Sequence, residues 1–261
     1  MQKVQGLTAL VTGASRGIGQ EIAKRFAADG AEVCVTARTI EEGDNVFSGS
    51  ITTTVDAIRE AGGSAEAVPA DLSNADDRSR VVATTGPVDI LVNNAAITYF
   101  EPASAFRESH YRLMFEVQVR APFELAQAYL PHMRDRHRGW ILNISSGAAI
   151  HPQGPPYGRG LTGGTVYGMC KAALERFTTG LASEVWNDGI AVNALSPSGL
   201  VLTPGVVHHK LDQFVPRESH EPISYMVEAA SALCTGDPKI VTGKVTYARQ
   251  ILEELAIPLP E

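Results

Sequence analysis

The chain has 261 residues, 44% of them hydrophobic and 20% charged, enough for one large domain with its own core. Lys and Arg total 22 against 29 Asp and Glu, a net charge of -7 that excludes the basic face a nucleic-acid partner needs. No apolar run reaches the roughly 18 residues of a membrane helix, so no membrane partner is expected.

The start, Met1 to Leu7, lacks the basic and apolar regions of a secretion signal. Residues 7–11 form a short apolar run that suits a strand buried on both faces. A glycine turn follows, and residues 20–29 carry helical spacing that stops at Gly30. The alternation continues with strands expected at 32–36, 65–69, 88–92, 140–144 and 190–195. Helices are expected at 51–61, 75–85, 108–136 and 166–186. This order predicts an α/β fold, a single-domain Rossmann-like doubly wound parallel sheet flanked by helices, over residues 1–261. Three stretches break the rhythm: a polar loop at 39–49, a Gly/Pro-rich segment at 147–164 that includes Tyr157, and a flap at 197–222. Cys34, Cys170 and Cys234 share no metal or disulfide spacing, and His208, His209 and His220 match no zinc pattern, so no metal is expected. A reducing, cytoplasmic setting fits those cysteines.

The segment Thr12-Gly-Ala-Ser-Arg-Gly-Ile-Gly19 joins the first strand to the first helix. Glycine permits a tight turn and close backbone approach to phosphate, and a helix N-terminus adds N–H donors and partial positive charge. Gly13, Ser15, Arg16, Gly17, Ile18 and Gly19 are therefore expected to cradle a dinucleotide pyrophosphate. An acid closing the second strand would bind a free ribose 2′-OH. This chain has Ala37-Arg38-Thr39 there and Arg16 in the turn, and two guanidiniums favour a 2′-phosphate. NADP(H) is the expected cofactor, with NAD(H) the alternative. A competing reading pairs Arg38 with Glu41 or Glu42 in a solvated loop. Asp71-Leu72 and Asn93-Asn94 follow the third and fourth strands. Asp71 either accepts from an adenine amino group or starts a helix with Ser73; Asn94 either lines the cofactor or turns the chain.

Taken in order, the glycine turn, Asn93-Asn94-Ala95, Ser145-Ser146 and Tyr167-Gly-Met-Cys-Lys171 resemble the short-chain dehydrogenase/reductase superfamily over residues 5–205. The resemblance implies that Ser146 bonds the substrate oxygen and that Tyr167 is the acid in reduction and the base in oxidation. Lys171 would bind the nicotinamide ribose and lower the tyrosine pKa, while Asn94 and Asp71 contact the cofactor. Pro197 and Thr203 would lie by the nicotinamide. It also implies a homodimer across helices 108–136 and 166–186, or a homotetramer. Positions 167 and 171 share one helix face, and an ammonium about 4.5 Å from a phenol favours the phenolate by roughly 3–4 kcal/mol at an effective dielectric near 20.

The chain departs from the family pattern in four places within this span. Gln118 stands where the family has an asparagine that holds a proton-relay water. Ala96 replaces a glycine, the span from Ser146 to Tyr167 is longer, and Pro197-Ser198-Gly199 replaces a proline-glycine. Beyond the matched span, Thr242 to Arg249 stands in place of a glycine-rich C-terminal motif. The expected function is NADP-dependent reduction of a ketone, aldehyde or 3-oxoacyl group to an alcohol, reversibly. Leu200, Val201, Val206, Val207 and Phe214 in the flap suggest a mainly apolar substrate. The alternatives are a catalytically silent NADP-binding sensor, or an epimerase or dehydratase that retains its cofactor.

Overall fold

The computed structural model describes residues 4–157 and 163–260. Expectations for the first three residues, and for the middle of the 147–164 segment, lie outside the described residues. Seven strands form one parallel sheet: β1 (Thr8–Thr12), β2 (Glu32–Thr36), β3 (Ser64–Ala67), β4 (Ile90–Asn93), β5 (Gly139–Ile144), β6 (Ile190–Ser196) and β7 (Val245–Tyr247). Their spatial order is β3-β2-β1-β4-β5-β6-β7. Every residue of β4, β5 and β6 is buried, as a strand covered on both faces demands. The chain reverses direction across the sheet between β1 and β4, which opens a crevice beyond their C-terminal ends.

The helices are α1 (Gly17–Ala28), α2 (Ile51–Glu60), α3 (Ala75–Thr85), α4 (Glu108–Phe115), α5 (Ala121–Asp135), α6 (Thr165–Val185), α7 (Pro204–His208), α8 (Ile223–Leu233) and α9 (Ala248–Glu254). Local chemistry sets several boundaries. Ser50 and Thr53 form a reciprocal capping box at α2. Asn74 caps α3, with Asp76 and Asp77 in its first turn. One core layer packs α1, α2, α8 and α9 on one face of the sheet, including Phe26, Ile51, Met226 and Ile251. The other packs α3, α5 and α6 on the opposite face, including Val81, Tyr129 and Leu181.

The sequence reading differs from the structure in two places. The long helix expected at 108–136 contains a π-helical segment at Glu116–Arg120. Helices α8 and α9 and strand β7 lie where no element was expected. α8 and α9 start without a side-chain cap, so they lack the usual sequence marker. Arg25 of α1 anchors α8 by pairing with Glu228. The flap expected at 197–222 holds α7 and two short 3₁₀ turns and is closed at its base by the Leu200–His220 bridge.

Candidate active site

A cavity of about 1540 Å³ occupies the crevice beyond β1 and β4. A typical small-molecule site is about 300–1,000 Å³, so this volume suits two ligands side by side. Gly13, Ser15, Arg16, Gly17 and Ile18 line one end, with Arg38, Asp71, Leu72 and Asn94 close by. Ser146, Tyr167, Lys171 and Pro197 line the other, and Thr203 reaches across to Gly17 of the turn. Gly19 and Gln118 lie behind the wall.

The turn requires its glycines. Gly13 has φ +65°, and a Cβ there would stand 2.7 Å from the Ala95 Cα. A Cβ at Gly19 would collide with the Asn94 side chain. Asn94 holds the turn from below, donating from Nδ2 to the carbonyls of Thr12 (2.9 Å) and Gly13 (3.1 Å). Thr12 Oγ1 in turn accepts from the backbone N–H groups of Asn94 and Ala95. No side chain caps the N-terminus of α1, leaving its first amides to a ligand. This cradle fits a dinucleotide pyrophosphate.

The two arginines differ. The Arg16 guanidinium donates to the carbonyls of Ser48 (2.9 Å) and Gly49 (2.6 Å) and to Thr39 Oγ1 (3.1 Å). It also lies over the Phe47 ring, 5.5 Å from its centroid. Arg16 thus binds its own loop, and burial lowers its pKa. Arg38 is half exposed on the cavity wall, 3.9 Å from Asp71. Glu42 accepts from the Gly49 N–H and Glu41 from Thr52, so neither acid is engaged with Arg38. Asp71 accepts from the N–H and hydroxyl of Ser73 through Oδ1.

At the far end, a Cβ at Gly168 would stand 2.7 Å from the Ala148 carbonyl. This close approach seats the start of α6 against the turn after β5 and brings Tyr167 beside Ser146. Ser146 Oγ accepts from the Ala148 N–H at 3.2 Å. Lys171 is 3% exposed. Its Nζ donates to the Ile144 carbonyl at 2.8 Å and lies 5.6 Å from the Tyr167 ring centroid. Burial drives the Lys171 pKa down to about 8, against smaller upward pulls from Cys170 and Glu175. Burial also raises the Tyr167 pKa, with the Ser146 hydroxyl pulling it back. Gln118 is 1% exposed. Its Nε2 donates to the Ile97 carbonyl at 2.9 Å, and its Oε1 has no hydrogen-bond partner among the described residues.

The flap roofs the cavity through ring contacts that the sequence did not disclose. His208, at the end of α7, meets Phe47 edge-on at 4.9 Å, and His209 meets Phe100 at 5.1 Å. Phe100 in turn lies edge-on to Tyr167 at 6.2 Å. Thr203 packs over Gly17. The available signal was an aromatic residue in each of the loops that follow β2 and β4, facing two flap histidines. Among the described residues no group of three or more His, Cys, Asp and Glu could hold a metal, and no helix is long and apolar enough to cross a membrane.

Comparison with known proteins agrees with this geometry. A family model described as short chain dehydrogenase matches residues 7–212. The short-chain reductase protein NovJ of Streptomyces niveus is 35% identical over 236 residues, covering 89% of this chain and 81% of that protein. L-xylulose reductase of Bos taurus is 34% identical, covering 77% and 75% respectively. Among solved structures, a 3-oxoacyl (acyl-carrier-protein) reductase from Agrobacterium tumefaciens C58 with NADP bound superposes with a TM-score of 0.79. It is 29% identical, over 94% of this chain and 93% of that one.

Proposed function

Since the chain belongs to the short-chain dehydrogenase/reductase family of NAD(P)-dependent oxidoreductases, we propose that it uses NADPH to reduce a carbonyl group to an alcohol. The supporting observation is the meeting of Ser146, Tyr167 and Lys171 on one wall of a cavity whose other end is the glycine turn. The L-xylulose reductase and 3-oxoacyl reductase similarities agree with a carbonyl substrate. Exposed Arg38 supports the 2′-phosphate of NADP over NAD. The chain acts as one domain, since all seven strands share a sheet. Its three cysteines are free and buried, which suits the reducing cytoplasm.

NADPH, when bound, supplies a hydride to the carbonyl carbon. The protein does the rest. Gly13, Ser15, Gly17 and Ile18 would hold the pyrophosphate by backbone N–H groups, Gly19 lets the turn close on Asn94, and Arg38 would take the 2′-phosphate. Asp71 and Leu72 would border the adenine and Pro197 the nicotinamide, with Thr203 reaching between the nicotinamide and the turn at Gly17. Ser146 donates a hydrogen bond to the substrate oxygen. Tyr167, kept protonated by burial, gives that oxygen its proton as negative charge builds there. Lys171, fixed by the Ile144 carbonyl, stabilises the phenolate left behind. Gln118 offers its unpartnered Oε1 to one water, in the role the family gives to asparagine.

A carbonyl panel read by loss of NADPH absorbance tests the proposal. Tyr167→Phe should reduce turnover by about 10²–10⁴-fold while NADPH still binds. Tight NADPH binding by the wild type with no turnover on any carbonyl would favour the sensor reading.

We infer further that two copies pair across α4, α5 and α6. Phe115, Val119, Phe123, Leu174 and Phe177 line an apolar depression of about 420 Å³ there. Phe123 is 49% exposed and meets Phe177 edge-on.

A further inference from the structure

The loop that carries Phe100 is held from several sides. Gln118 bonds the Ile97 carbonyl at 2.9 Å. Tyr99 stacks on His110 with ring planes 10° apart. Glu101 accepts from the Arg107 side chain at 2.6 Å and from the Arg107 N–H at 3.0 Å, and lies 3.1 Å from His110 Nδ1. The Arg107 hydrogen bonds hold the Glu101 carboxyl down at about 2, so this acid is committed to its own loop. Gly163 approaches so closely from behind that a Cβ there would stand 2.7 Å from the Phe100 carbonyl carbon. A ring fixed in this way costs little further entropy when a ligand packs on it.

That ring stands edge-on to the Tyr167 phenol, and His209 closes on it from the flap. Burial, and then the neighbouring His208, lowers the His209 pKa. Ile97, Ile150 and Leu200 line the cavity near these rings. Of the charged residues that line the cavity, Arg16, Arg38 and Asp71 lie by the glycine turn, Glu221 is committed to the Ser198 N–H, Arg249 lies over the Tyr225 ring and Glu218 is exposed at the flap. Aromatic rings favour edge-to-face partners at centroid separations of about 4.5–7 Å, and a third ring beside Phe100 would extend the same array.

Resting on the oxidoreductase reading, we propose that Phe100 and His209 form the specificity wall of the site. The preferred substrate is an uncharged ketone or aldehyde with an aromatic ring next to its carbonyl. Phe100 receives the ring on a prefixed edge, His209 closes over it from the flap, and Tyr167 meets the carbonyl oxygen.

The test compares kcat/KM with NADPH for acetophenone, its saturated counterpart cyclohexyl methyl ketone, and fructose. The wild type should prefer acetophenone over cyclohexyl methyl ketone by about 10-fold. That ratio should collapse towards unity in Phe100→Ala and in Phe100→Leu, which keeps the apolar bulk without the ring. His209→Phe should retain the ratio and His209→Ala should lower it. Equal use of the two ketones by the wild type, a ratio indifferent to Phe100, or fructose as the best substrate would each overturn the proposal while leaving the oxidoreductase reading intact. No turnover of any carbonyl would overturn both.

Discussion

Lys171 carries the clearest residue-scale signature. Its pKa in the cofactor-free protein is about 8, against about 10.4 in an unfolded chain. Between those values the unfolded state binds more protons, so the native state gains stability as pH rises through that window. Denaturant midpoints measured across the window should climb for the wild type relative to Lys171→Met, which removes this term. Parallel curves for the two proteins would show that the amine is not desolvated. Arg38 gives a second test. A charge-assisted hydrogen bond is worth about 1.5–3 kcal/mol, so Arg38→Leu should reduce the preference for NADPH over NADH by roughly 10–100-fold in Kd. The place of Arg38 on the cavity wall was legible in the sequence, because the residue directly follows β2. The engagement of Arg16 was not, because it depends on main-chain carbonyls of a loop that folds back from residues 47–49.

Among elements, β1, β2, β4, β5 and β6 were legible because each buries a run of apolar residues, whereas β3, with only Ala65 buried, is read from its place in the alternation. The π segment at Glu116–Arg120 was not legible, since one extra residue in a turn leaves the surrounding helical pattern intact. That segment aims Gln118 inward and Glu116 outward, and Glu116 then joins Glu124 in gripping Arg78. Arg78 is 2% exposed and bonds Glu124 at 2.6 Å, Glu116 at 3.2 Å and the Leu72 carbonyl at 2.8 Å. It ties α3, the π segment and the loop beside the proposed adenine site together. Replacing it with leucine leaves a buried carbonyl without its donor, while both acids keep Arg120. Arg78→Leu should therefore destabilise the fold by about 1–3 kcal/mol in urea unfolding. It should also weaken cofactor binding, through Leu72. An unchanged midpoint would mean that the Arg78 network contributes nothing net.

At the scale of the whole molecule, two surfaces await a ligand or a partner. The flap roof rests on Phe47 and Phe100 through His208 and His209, so under the proposed function one segment would cover both cofactor and substrate. The second surface is the Phe115–Phe123–Phe177 face. An aromatic side chain buries about 150–250 Å², so covering the exposed half of Phe123 is worth about 2 kcal/mol per protomer. With its apolar neighbours this favours pairing of the two faces, whereas an aspartate there would bring two charges into an apolar contact. Light scattering should give a dimer or tetramer for the wild type and a monomer for Phe123→Asp, with the monomer's circular dichroism unchanged. A dimer that survives the substitution would move the interface elsewhere, and the sheet edge at β7 would be the next place to probe. Trp186, Ile240 and Val245 are exposed there, and an unpaired strand edge offers its backbone groups to a second copy.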